Sequence, residues 1–112
     1  MNIYPHKTAG GKNLIQSYID KLSKEEQIDG YSVLVKLEQG KLDELVIKPW
    51  RGKISEIYFY KDNRIFYVIV DGEDIYLLHA CRKQKNKTEQ PDSEKIIQRA
   101  KELGELLSKE FI

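Results

Sequence analysis

The 112-residue chain sets 19 Lys and Arg against 18 Asp and Glu, a formal net charge of +1, with 40% hydrophobic residues. That balance predicts one globular domain spanning 1–112 with a modest core, and it excludes nucleic-acid binding through a global positive field, leaving only a local patch for that role. No apolar run approaches the ~18 residues of a membrane span, "MNIYPHKTAGGK" lacks the apolar stretch of a signal peptide, and the single Cys81 excludes an internal disulfide or a CxxC metal site, so a cytoplasmic protein is expected.

In chain order, a strand of two or three residues is expected around Ile3, with a break at "GGK". "NLIQSYIDKL" then places Leu14, Ile15, Tyr18, Ile19 and Leu22 at helical spacing. Ser23, with Glu26 three residues on, has the pattern of a capping box. It predicts a second helix that buries Ile28, Tyr31, Leu34 and Val35, with Leu37 at the end of the stripe, and that stops at Gly40. The two would form a helical hairpin. "VIKPWRGK" reads as loop, because Pro49 and Gly52 interrupt it, and Trp50 within it reads as a core anchor. Three runs rich in β-branched and aromatic residues follow, "ISEIYFY", "RIFYVIV" and "DIYLLHAC". Their short links, "KDN" and "DGED", predict an antiparallel meander. "PDSEKIIQRAKELGELL" predicts a last helix, capped by Asp92 or Ser93, with Ile96, Ile97, Ala100, Leu103 and Leu107 as its buried stripe and Gly104 blurring its end. The predicted class is α+β, with one helical layer, the hairpin and the last helix, packed on an antiparallel sheet.

The third strand runs directly into cations: four of the six residues from Arg82 to Lys87 are Lys or Arg and none is acidic. A two-residue loop at Gly72-Glu73 would set Phe66 opposite His79 and Arg64 opposite Cys81. A three-residue "KDN" loop would set Tyr60 opposite Arg64 and Tyr58 opposite Phe66. One face then carries Ile57, Phe59, Ile65, Tyr67, Ile69, Tyr76, Leu78 and Ala80, apolar and covered by helices. The other, open face gathers Tyr58, Tyr60, Arg64, Phe66, His79, Cys81 and Lys83 in one corner beside the basic run.

Such a corner suits a polyanion: cations neutralise phosphates, and tyrosine or histidine rings offer planes to unstacked bases. Cleaving RNA requires a base for the 2′-hydroxyl proton, cations around the crowded phosphate and an acid for the leaving oxygen. Lys, Arg, Tyr and His can supply all three, so neither a metal nor another cofactor is called for. The blander alternatives are a solvated basic loop, an Arg64 that only pairs with Glu56 or Asp62, a hydrogen-bonded structural His79, and Tyr58 and Tyr60 as packing aromatics.

"NRIFYVIVDGEDIYLLHACRKQKNKTEQPDSEKIIQRAKE" resembles the second half of the RelE/HigB toxin superfamily, in particular its phage-derived Gp49-like branch, in its ordered series of arginine, aliphatic and aromatic residues, turn, Leu-Leu-His, basic run, proline and helix. The resemblance runs from Ile54 to Glu102. It implies a RelE-like fold and a toxin of a type II toxin–antitoxin pair: a metal-independent endoribonuclease acting on mRNA, on the translating ribosome, held by a helix-turn-helix antitoxin of the HigA kind. By position it implies Arg64 as the arginine that stabilises the phosphate and Lys83, flanked by Arg82 and Lys85, as the essential cation; with His79 of the open-face corner these are the catalytic candidates, and Arg82, Lys85, Lys87, Tyr58 and Tyr60 of that corner and the basic run are the RNA-binding ones. Crowding of cations would favour a neutral lysine and makes Lys83 the candidate base. Relatives usually carry Glu-Leu-Arg where this chain has Glu56-Ile57-Tyr58, and often an aromatic residue at Cys81. The alternatives are a ParE-like, non-enzymatic inhibitor of gyrase and a nucleic-acid-binding module without catalysis.

Overall fold

The computed structural model describes residues 1–83 and 90–112, and Lys85, Lys87 and the rest of the segment 84–89 lie outside the described residues. The class is α+β, as the sequence implies, with three helices and a five-stranded mixed sheet. Strand β1 (Asn2–Pro5) is followed by helices α1 (Leu14–Asp20) and α2 (Lys24–Glu38) and a short 3₁₀ turn (Leu42–Glu44). Then come β2 (Val46–Arg51), β3 (Ile54–Phe59), β4 (Asn63–Val70), β5 (Asp74–Arg82) and α3 (Gln90–Leu107). The sheet order is β1-β5-β4-β3-β2, antiparallel except that β1 runs parallel to β5.

Local chemistry explains the helix ends. The Asn13 side chain accepts from the backbone of Ile15 and Gln16 and starts α1, and the Ser23 hydroxyl accepts from Glu26 N at 3.3 Å and starts α2. Glu26 does not complete the capping box in the usual way. Its carboxylate turns inward and is buried. The α2 stripe accordingly differs from the sequence expectation: Gly30, Val33 and Leu37 are buried with Glu26, while Ile28 and Val35 are exposed on the opposite side. In α3, Asp92 sits within the first turn and is not the cap. Ile96 and Ala100 are buried, and Ile97, Leu103 and Leu107 are half-buried. Gly104 lies inside this helix because the chain returns past it: a Cβ there would meet the Lys109 carbonyl oxygen at 2.5 Å.

Two corrections concern the sheet. "VIKPWR" is an edge strand rather than a loop, paired with β3 and irregular between Pro49 and Arg51. An edge position tolerates a proline that could not donate within a central ladder. And the helices do not share one face. The α1–α2 hairpin covers the face of Ile57, Phe59, Ile65, Tyr67, Ile75 and Leu77, whereas α3 covers the face of Ile54, Phe66, Val68, Val70, Leu78 and Cys81. Central strand β4 is buried at seven of its eight positions, as a strand packed on both sides must be.

The register holds at the basic end, with Arg64 opposite Cys81 and Phe66 opposite His79. It differs at the loop end. Asp71 and Gly72 take the positive-φ positions, the pairing closes as Val70 with Asp74, and a bulge between the two registers makes up the difference. The bulge exchanges the faces expected for the first half of β5: Ile75 and Leu77 join the hairpin core, and Tyr76 and Leu78 the α3 core. In the β3–β4 pair Tyr58, not Tyr60, lies opposite Arg64. That shift of two residues keeps the predicted faces and carries Tyr60 out of the ladder.

A candidate nucleic-acid interface over a buried polar hub

Alternation along the strands sorts the polar residues onto two sides of the sheet. Asn63 pairs with Arg82 and both point to the helical hairpin, whereas Arg64 pairs with Cys81 and both point to the α3 side. Lys83, one residue beyond Arg82, returns to the α3 side, where its Nζ stands 5.3 Å from the Tyr58 ring centroid.

On the hairpin side the groups form a hub that is buried except at Arg82, which is exposed at its margin. Asn63 is fully buried; its amide donates to Glu26 Oε2 at 2.6 Å and to the Tyr60 carbonyl at 2.6 Å, and its oxygen accepts from the Tyr18 hydroxyl at 2.5 Å. Arg82 donates to Glu26 at 2.7 Å and to the Lys61 carbonyl at 2.7 Å, and the Ser23 hydroxyl donates to the other Glu26 oxygen at 2.9 Å. The Asn63 bond, with those from Arg82 and Ser23, holds the Glu26 carboxyl down at about 2. Burial pushes the Tyr18 phenol up to about 12, so it remains a donor. The hub pins the β3–β4 turn, where Lys61 and Asp62 both take φ of 63° and Tyr60 N donates to Asp29 at 2.7 Å. Arg82 is thus committed to structural partners, and Tyr60, exposed at this turn, has the Lys61 ammonium beside its ring.

On the α3 side, Arg64 is 2% exposed and its Nη1 lies 3.2 Å from Glu56 Oε2, an ion pair buried on both sides. The Tyr58 hydroxyl donates to the other Glu56 oxygen. Burial, and then that bond, raise the Tyr58 phenol above its ordinary value and keep it protonated. Lys48 of β2 reaches the same ring, its Nζ 5.0 Å from the centroid. Tyr58 therefore stands where two ammoniums converge.

His79 lies deeper. Arg99 Nη1 donates to its Nδ1 at 2.8 Å, so Nε2 carries the ring proton and donates to Asp92 at 2.7 Å. Burial, the largest influence, lowers its pKa despite Asp92, and the neutral imidazole ties β5 to α3. Nearby Cys81 is buried, and burial pushes its thiol up to about 11. His79, Cys81 and Asp92 bring one donor atom each within 4.8 Å of one another, which is enough for a metal ion. The neighbours do not favour one, since Arg64 Nη2 is 4.0 Å from the Cys81 sulfur and Arg99 occupies the histidine nitrogen that a metal-bound imidazole would use as a donor.

The structure thus brings together Tyr58, Arg64 and Lys83, sets His79 behind them, and places Arg82 and Tyr60 around the hub. Sequence reading missed Lys48, hidden in an apparent loop, and the hub partners Glu26 and Asn63. The capping pattern of Glu26 was a signal, but it pointed only to a helix start. A groove of about 600 Å³ between the end of α3 and Phe111–Ile112 is lined by none of these residues.

The family model for phage-derived Gp49-like proteins matches residues 17–101, from α1 to α3. The chain belongs to this family. Gp49-like proteins are a RelE/HigB-like toxin family, and the match takes in the hub and the Tyr58 corner alike. No curated protein matches the chain. Among the described residues of this Gp49-like protein no helix is long and apolar enough to cross a membrane.

Proposed function

We propose that this Gp49-like protein is the toxin of a type II toxin–antitoxin pair, of the HigB branch with a RelE-like arrangement, formed by one domain over residues 1–112. In this reading it is a metal-independent endoribonuclease that cleaves mRNA on the translating ribosome, in the cytoplasm, and is neutralised by a HigA-like helix-turn-helix antitoxin. The observation that carries the reading is the Lys83–Tyr58–Glu56–Arg64 series: an exposed-side ammonium over a phenol whose hydroxyl is held by a carboxylate clamped to a buried arginine.

The roles follow from accessibility. Lys83, half-buried at the rim, meets the phosphate and, when neutral, takes the 2′-hydroxyl proton. The Tyr58 hydroxyl, kept protonated, gives its proton to the leaving 5′-oxygen. Arg64 acts through Glu56, and His79 through β5, so both are positioning residues. Lys85 and Lys87 add phosphate contacts next in the chain. Relatives' arginine at the Tyr58 position is replaced by charge from two neighbouring lysines.

The test is induction of the wild type in bacteria with mapping of new mRNA 5′ ends, alongside Lys83→Ala and Tyr58→Phe. Arg64→Ala is the poorer control, because it leaves the Glu56 carboxylate buried without its ion pair. New ends within translated messages, lost with Lys83→Ala, are the expected result. Growth arrest without new ends would overturn the ribonuclease reading in favour of a gyrase-directed toxin.

A further inference from the structure

The α3-side face continues beyond Tyr58 onto β2. Val46 pairs with Tyr58 and Lys48 with Glu56, and both Val46, 60% exposed, and Lys48 are open to solvent, so α3 stops short of this edge. Here the cations and rings alternate. Arg51 stands 4.8 Å over Trp50, Trp50 meets Phe66 edge-on at 5.2 Å, and Arg64 stands 5.1 Å over Phe66. Alongside runs the Lys48–Tyr58–Lys83 series, at 5.0 and 5.3 Å. The described residues hold five cation–ring pairs, all on β2–β4, the turn between β3 and β4, and Lys83. Arg64–Phe66 is buried and belongs to the core, whereas Lys48–Tyr58 and Arg51–Trp50 put exposed cations of edge strand β2 over rings, where such pairs add little to a fold.

We infer that β2 and β3 form a track for single-stranded RNA that leads away from Lys83, with Lys48 and Arg51 as its phosphate contacts and the Tyr58 and Trp50 rings beneath them as its stacking surfaces. The inference rests on the ribonuclease reading and adds where the strand runs: over β2 and β3, on one side of the cleaved bond. The ammonium of Lys48 and the guanidinium of Arg51 sit on long flexible stems, and a phosphate is a stronger partner than a ring face. When they move to the backbone, the ring they cover is released to an unstacked base. A duplex keeps its bases stacked inside and cannot use those planes.

The probe is a labelled 2′-O-methyl uridine octamer, which lacks the attacking hydroxyl, titrated into the full chain by fluorescence anisotropy at several salt concentrations. Lys48→Ala and Arg51→Ala are the variants, with Trp50 left in place because it packs on Phe66. Each variant is expected to weaken binding about three- to ten-fold and to flatten the logarithmic salt slope by about 0.7, as loss of one phosphate contact on a single strand requires. A 2′-O-methyl duplex of equal length is expected to bind several-fold more weakly. Unchanged affinity and slope in both variants would overturn the track, and so would equal binding of the duplex. If mRNA is still cleaved in cells under either result, the ribonuclease reading stands without the track; if the wild type neither binds the octamer nor cleaves, both fall.

Discussion

Asn63 and Arg64 are neighbours on one strand, and they anchor two polar clusters back to back through the sheet. On the hairpin side Asn63, Glu26 and Tyr18 satisfy one another under two helices, and Arg82, exposed at the margin, gives its donors to Glu26 and the Lys61 carbonyl. On the α3 side Arg64 and Glu56 are just as buried, but the series continues outward through Tyr58 to the ammoniums of Lys83 and Lys48. Closure marks a cluster that holds the fold; a buried pair that runs out to the rim marks one that can act on something. Two consecutive cations, Arg82 and Lys83, are divided between these roles by nothing more than strand alternation.

The sharpest way to break that contrast is to remove each cation in turn. Lys83→Ala is expected to lower cleavage at least ~100-fold with a change in unfolding free energy under about 0.5 kcal/mol. Arg82→Ala is expected to do the reverse, lowering the urea midpoint more than Lys83→Ala does, because it strips Glu26 and the Lys61 carbonyl of a donor. Urea titrations beside an RNA cleavage assay decide the matter, and equal effects of the two variants on cleavage would erase the distinction.

Asn63→Ala strikes the hub at its centre. It leaves Tyr18 and the Tyr60 carbonyl without their partner, and a loss of about 2–4 kcal/mol is expected in urea unfolding. A loss below ~1 kcal/mol would mean that the hub is dispensable.

Stability against pH separates the clusters more gently. The folded Glu26 carboxyl, at about 2 against an ordinary 4.5, binds a proton less readily than in the unfolded chain. Its contribution is complete above the ordinary value and is lost as pH falls from 4.5 toward 2. His79, with its pKa lowered by burial, likewise contributes above 6.5 and loses that contribution as pH falls below it. Urea midpoints measured from pH 8 to pH 3 are expected to fall in two steps, the upper one flattened by His79→Asn and the lower by Glu26→Gln. The smallest effect is expected at Lys61, which the hub holds at a φ of 63°. Lys61→Gly should raise stability by about 0.5–1 kcal/mol, readable as a rise in thermal midpoint, because glycine adopts that conformation without a Cβ penalty.

Much of this arrangement was legible. Helical spacing in "NLIQSYIDKL", the Ser23 cap and the β-rich runs each reported a local preference that the fold keeps. Relations between elements were less legible. β4 was expected to leave one face open under a single helical layer, and nothing in the amphipathic pattern of α3 says that it takes the opposite face from the hairpin. Pro49 made an edge strand look like a loop, because an edge forgives what a central strand cannot. The β4–β5 loop misled because Asp71-Gly72, and not Gly72-Glu73, takes the positive-φ positions, and the bulge that restores the register at Arg64 leaves no mark in the sequence. In the site, the pairing of Arg64 with Cys81 beside the basic run was legible, whereas Tyr58 reaches Arg64 only through the two-residue shift of β3. The hub was not legible, since its members are scattered from Tyr18 to Arg82 and only the tertiary fold assembles them.

The two borders of the sheet share one further property. β1, at one margin, ends in Pro5, and β2, at the other, carries Pro49 beside an irregular step. Neither presents an uninterrupted row of N–H donors, so a strand from another molecule finds no clean template on which to add itself. Short outer strands interrupted by proline are the form in which a sheet margin offers least to a strand of another molecule.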